Sequence, residues 1–156
     1  MKYTNINLQK DLKREWIITN GIGGFASSTI CGANTRRYHG LLIAPLTPPA
    51  RRHLILSKVD ESIEIEGKKY NLYTNVGENY ISQGFKYQKE FEKEYLPIFK
   101  YEVENVEITK TICMEYGKNT VGIKRRRFPA QRQNIHRRQS FRLCSEKGHC
   151  LALAIP

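Results

Sequence analysis

The sequence predicts an all-β protein, an antiparallel β-sandwich that lacks its later strands. Three observations lead there. Short β-branched and aromatic runs alternate with Gly, Asn and Pro turn signals. No segment holds a sustained 3.6-residue apolar period. In Val106–Met114, Val106, Ile108, Lys110, Ile112 and Met114 alternate with Glu107, Thr109, Thr111 and Cys113, as in a strand with one face on a core and one wetter.

The elements follow in order. Glu15–Thr19 is apolar and β-branched, and Asn20–Gly24 breaks it, because glycine admits the positive φ of a tight turn. Tyr38–Ala44 and His53–Val59 read as strands. The loop PLTPPARR separates them, its three prolines arguing against central pairing. Ser62–Ile65 and Tyr70–Tyr73 read as a hairpin around Glu66-Gly67-Lys68-Lys69. Phe85–Glu94 is expected to be a strand, with Phe85, Tyr87, Lys89, Phe91, Lys93 and Tyr95 on one side. Ile98–Val103, Val106–Met114 and Thr120–Ile123 complete the series, joined at Glu104-Asn105 and Tyr116-Gly117-Lys118-Asn119.

At 156 residues the chain is expected to form one domain with a core of its own. No run approaches the ~20 apolar residues of a membrane span, and MKYTNINLQKDLKREW lacks the apolar centre of a secretory signal. A cytoplasmic location is expected, and with it free thiols at Cys31, Cys113, Cys144 and Cys150. The net charge of +11 is unevenly placed. Residues 124–156 hold nine Lys or Arg and one Glu, giving +8, and residues 1–123 hold seventeen and fourteen, giving +3. The basic character therefore sits mainly in the tail.

Gly21-Ile22-Gly23-Gly24-Phe25-Ala26 fits the dinucleotide fingerprint G-x-G-x-x-[GA] in form. That fingerprint requires a following helix to hold the pyrophosphate and an acid about 20 residues on. Ser27–Gly32 is a poor helix, and no acid stands between Gly24 and Asp60. No cofactor is assigned. Asn34-Thr35-Arg36-Arg37-Tyr38-His39-Gly40 is richer in chemistry, with two guanidinium forks, a phenol and an imidazole where a strand begins. Arg36, Arg37, Tyr38 and His39 are the candidate contacts to substrate or to a neighbouring domain. His39 has no Cys, His or acid near it at ligand spacing, so no metal is assigned.

These residues carry a resemblance. Glu15-Trp16, then Thr19-Asn20-Gly21-x-Gly23-Gly24-Phe25-Ala26-Ser27, then Thr35-Arg36-Arg37-Tyr38-His39-Gly40-Leu41-Leu42, resemble the N-terminal domain of bacterial and archaeal glycogen debranching enzymes. Pro48-Pro49 and Leu54–Glu61 continue it, over about residues 12–123. The resemblance implies a β-sandwich that precedes an (α/α)6 catalytic barrel in an amylo-α-1,6-glucosidase acting on glycogen or related α-glucans. It places the catalytic carboxylates in that barrel, which 156 residues are too few to include. Asp60, Glu61 and Glu64 are the best-placed acids here. Neighbouring strand residues face opposite ways, so Asp60 and Glu61 do not form the flanking pair a glycosidase needs, and no catalytic residue is assigned. The implied partners are the α-glucan and the barrel. A stand-alone binding module is the alternative, for glucan through Tyr38, Tyr73, Tyr80, Phe85 and Tyr87, or for nucleic acid through the tail.

Residues 124–156, KRRRFPAQRQNIHRRQSFRLCSEKGHCLALAIP, depart from the family pattern. They read as a basic tail, out of frame or disordered, that leaves an unpaired edge at Thr120–Ile123. A nucleic-acid arm and a zinc site from His136, Cys144, His149 and Cys150 are the lesser readings. Their spacing matches no standard finger.

Overall fold

The computed structural model describes residues 1–129 and the backbone of 150–154. The fold is all-β, with one helical turn at Leu8–Asp11 and a 3-10 turn at Gly84–Tyr87. The strands are β1 (Lys2–Thr4), β2 (Glu15–Thr19), β3 (Phe25–Thr29), β4 (Gly40–Thr47), β5 (Ala50–Leu56), β6 (Ser62–Ile65) and β7 (Lys68–Asn71). They continue with β8 (Gln88–Lys93), β9 (Pro97–Val103), β10 (Val106–Met114), β11 (Thr120–Pro129) and β12 (Cys150–Ala154). A six-stranded antiparallel sheet runs β1-β8-β9-β10-β11-β12, a four-stranded one runs β2-β3-β4-β5, and β6-β7 is a separate hairpin.

The two larger sheets face each other across one core, as period-two burial requires. Trp16 and Ile18 of β2, Ala26 of β3, and Leu42 and Ala44 of β4 meet Phe91, Phe99, Tyr101, Ile112, Val121 and Ile123 of the other sheet. Trp16 meets Phe99 edge-on at 6.1 Å, and Phe99 meets Phe91 edge-on at 5.0 Å. Ile63 and Ile65 of the hairpin complete the core.

Several expectations shift in detail. β4 runs on through Pro45 to Thr47, and the turn shrinks to Pro48-Pro49, whose peptide bond is cis. Pro45 is tolerated because it lies past Ile43, the last residue that pairs with β3, and only β5 adjoins it. The hairpin turn is Glu66-Gly67, with φ of 50° and 79°, so Lys68 and Lys69 belong to β7. Two positive-φ residues match the twist of the flanking strands. Phe85 and Tyr87 lie in the 3-10 turn. The expected aromatic side of Phe85–Glu94 is also broken, because a register shift between Gln88 and Glu90 buries both Gln88 and Phe91. Tyr95 is exposed.

The larger differences fall at the expected boundary. β11 pairs with β10 from Val121↔Met114 to Pro129↔Val106. The alternation persists past Ile123, with Val121 and Ile123 buried and Arg125 and Arg127 half-buried between exposed Lys124, Arg126 and Phe128. Thr120–Lys124 is not a free edge, since Cys150–Ala154 pairs with it. Five residues suffice because they join an existing sheet and need no core of their own. The disorder expected of residues 130–149, and His136, Cys144 and His149 of the zinc reading, lie outside the described residues.

Candidate functional site

The two motifs occupy opposite ends of the four-stranded sheet. At one end the glycine segment 21–24 turns β2 into β3. Asn20, fully buried, closes that turn by accepting the Gly24 N–H at 2.8 Å and the Ile22 N–H at 3.2 Å on Oδ1. Its Nδ2 donates to the Lys118 carbonyl at 2.9 Å and to Asn119 Oδ1 at 3.1 Å, in the β10–β11 turn of the facing sheet. The Gly117 N–H returns a bond of 2.7 Å to the Asn20 carbonyl. Asn20 thus staples the sandwich at this end. Gly23 has φ of 92°, and a Cβ there would stand 2.9 Å from the Pro49 carbonyl. The segment that follows is strand, not helix, so no pyrophosphate site forms.

At the other end, a loop between β3 and β4 carries Arg36, Arg37, Tyr38 and His39. His39 is buried, with its backbone N–H on the Arg36 carbonyl at 3.0 Å. Its Nδ1 accepts the Thr35 N–H at 3.0 Å, which puts the ring proton on Nε2. Nε2 faces Glu15 Oε1 at 3.5 Å and forms no hydrogen bond. Burial pushes the imidazole below its ordinary range, opposed by Glu15 and reinforced by Arg36. Arg36 Nε reaches the same Glu15 oxygen at 2.5 Å. The Arg37 guanidinium lies 5.5 Å from the centre of the exposed Tyr38 ring. Of the four expected residues, the fold therefore gathers Arg36 and His39 onto Glu15 and turns Arg37 and Tyr38 outward.

Three residues went unassigned in the sequence reading. Glu15 is the anchor just described. Asn20 was read only as part of a turn. Glu61, nearly buried, takes Arg125 Nη2 at 2.6 Å and Nε at 2.9 Å, and Lys110 Nζ at 3.3 Å. A signal for it existed, because a lysine on the core side of β10 needs a counter-charge opposite. Asp60 turns the other way, to Asn75 Nδ2 at 2.9 Å and Lys58 Nζ at 3.6 Å. Lys58 also bonds the Thr74 carbonyl and Asn75 Oδ1. Burial lowers its ammonium pKa, with Asp60 opposing. The adjacent carboxylates therefore diverge, and each is engaged by cations. A cavity of about 30 Å³ lies between the sheets against Trp16, Asn34, Lys58 and Glu61. It has room for a water or two and not for a sugar ring. Among the described residues no group of three or more His, Cys, Asp or Glu is placed to hold a metal.

Compared with known families, residues 14–143 match the one described as glycogen debranching enzyme N terminal. The chain belongs to that family. The match contains both motif ends of the four-stranded sheet and extends past residue 123, through the part of β11 that the sequence reading had set aside. No curated protein and no solved structure matches the chain. No helix of the described residues is long and apolar enough to cross a membrane.

Proposed function

We propose that this domain is the non-catalytic sandwich of an α-glucan debranching system in the cytoplasm. In this reading the chemistry lies in a catalytic barrel that the domain docks against. The family match over residues 14–143 carries the reading. The carboxylates support it. A glycosidase needs two acids flanking one bond, one of them free to donate a proton. Asp60 and Glu61 point apart, and both are tied to cations. The Glu15–Arg36–His39 knot holds the loop that presents Arg37 and Tyr38, which suits a contact surface more than a catalytic one. The test is glucose and reducing-sugar release from a branched limit dextrin. The chain alone is expected to match a blank, and sustained release that one acid-to-amide substitution abolishes would overturn the reading.

A glucan-binding role independent of any barrel has narrower support. Of the aromatics considered, Tyr87 packs edge-on against Tyr70 at 5.8 Å, while Tyr38 and Tyr80 present open rings. Retardation of the chain in a native gel containing glycogen, lost in Tyr38→Ala or Tyr80→Ala, would favour it.

A further inference from the structure

The cavity between the sheets is lined by Lys58, Glu61, Thr74, Tyr101 and Lys110 as well as by Trp16. Two of these charges are already spent. Lys58 donates to the Thr74 carbonyl and to Asn75 Oδ1 at 2.6 Å, and it faces Asp60 Oδ1 at 3.6 Å. Glu61 Oε1 accepts both Nε and Nη2 of Arg125 and faces Lys110 Nζ at 3.3 Å. The groups left over are donors. The Lys110 ammonium has that ion contact and lies 5.8 Å from the centre of the Phe99 ring, and it forms no hydrogen bond among the described residues. The Tyr101 phenol forms none among them either. Thr74 is 1% exposed, and its Oγ1 is buried with no partner. Burial pushes the Tyr101 phenol well above its ordinary range, with Glu61 adding to it, and burial pushes up the Cys31 thiol that shares the lining. Both groups therefore keep their protons.

The charge around this space does not balance. Three cations, Lys58, Lys110 and Arg125, meet two carboxylates, Asp60 and Glu61, which leaves one positive charge over. Asp11, another acid whose field reaches Cys31, is taken by Arg14 at 2.9 Å. Lys58 registers the surplus. Burial lowers its ammonium pKa, Asp60 opposes, and Lys110 lowers it further. A surplus charge held away from water is costly unless a counter-ion meets it.

We infer that the cavity binds one small monovalent anion of the halide class, held by the Lys110 ammonium and by the hydroxyls of Thr74 and Tyr101. A space of about 30 Å³ is scaled to a monatomic ion rather than to an oxyanion or a sugar ring. A water alone satisfies the hydroxyls and leaves the charge. A metal cation adds to the surplus. The anion ties the Thr74 segment, beyond the β6–β7 hairpin, to Tyr101 of β9 and Lys110 of β10, and so it stabilises the folded chain.

Trp16 reports on the cavity, being the single tryptophan, 2% exposed and part of the lining. Bromide quenches indole on contact, and burial shields Trp16 from bromide in bulk. The full chain is titrated with sodium bromide in exchange for sodium gluconate at constant ionic strength. Quenching is expected to saturate, with its half-point at or below about 0.15 M, and chloride should reverse it. The melting temperature should rise as chloride replaces gluconate. Lys110→Met should raise the half-point about tenfold, as for the loss of a charge-assisted hydrogen bond, and Thr74→Val about fivefold, as for a neutral one. Lys124→Met removes the same charge from an exposed position of β11 and should change nothing. The melting temperature of each variant in gluconate establishes that it is folded. Thr74→Val, which exchanges a hydroxyl for a methyl, remains informative if Lys110→Met does not fold. Weak quenching that is linear in bromide, saturable quenching untouched by the folded cavity variants, or an equal loss in Lys124→Met would each overturn the site.

Discussion

Replacing Asn20 by alanine should remove the staple between the sheets. The side chain is fully buried and makes four hydrogen bonds, two to backbone N–H groups and two to the facing β10–β11 turn. Alanine leaves at least the Gly24 N–H and the Lys118 carbonyl without that partner. The Gly24 N–H is buried, and leaving it unsatisfied costs roughly 1–3 kcal/mol. The Lys118 carbonyl lies in an exposed turn where water can replace the lost donor, so the loss should be about 2 kcal/mol. That is a large part of the ~5–15 kcal/mol that holds a typical domain folded. Asn20→Asp keeps the acceptor for Gly24 and sets a second carboxylate oxygen against the Lys118 carbonyl, so its loss should be at least as large. The assay is urea unfolding followed by fluorescence. Trp16 is the single tryptophan, buried with its Nε1–H on the Thr29 carbonyl at 3.1 Å. A loss below about 0.5 kcal/mol for Asn20→Ala, the range of an ordinary surface change, would refute the staple.

Glu61→Gln should destabilise by about 2 kcal/mol, because it leaves the largely buried Lys110 and the half-buried Arg125 without their counter-charge. Arg125→Gln should cost less, since Lys110 still holds Glu61, and the order of the two unfolding midpoints checks this. His39 adds a pH dependence. Its folded pKa is lowered by burial, so between that value and the unfolded ~6.5 the unfolded state binds more protons. Stability should be full above pH ~6.5 and fall as the pH drops toward the folded pKa, where the Nδ1 that accepts the Thr35 N–H would become a donor. His39→Asn, which keeps an acceptor near that position, should flatten the profile between pH 7.5 and 5.5, and an unchanged slope would clear His39 of the effect. Limited trypsin digestion should spare Lys124–Arg127, which lie in β11, and a first cut among them would contradict the nine-pair β10–β11 ladder.

Much of this was legible along the chain. The alternation in Val106–Met114 marked a strand and its buried side, and burial of Val106, Ile108 and Ile112 agrees. Gly21, Gly23 and the Glu104-Asn105 pair marked turns, because few residues tolerate the positive φ found there. The string TRRYHG, with NGIGGFAS upstream, sufficed to name the family. All of these signals are local, written within a few residues of where they act. Lys124–Pro129 was missed because charge was weighed above period. Four consecutive cations read as solvated chain, although Arg125 and Arg127 kept the inward phase of Val121 and Ile123.

Pairings across long stretches of sequence were not legible. Local pattern does not say that Glu61 meets Arg125, that Asn20 closes on Lys118, or that Cys150–Ala154 lies beside Thr120–Lys124. Each depends on which strands become neighbours. The sequence by itself determined the strand periods, the turns and the family. The tertiary structure alone decided which charges are neutralised inside and that Arg36 and His39 share Glu15. The physical reason is that period-two patterning specifies which face of a strand is buried and carries no information about which strand will cover it.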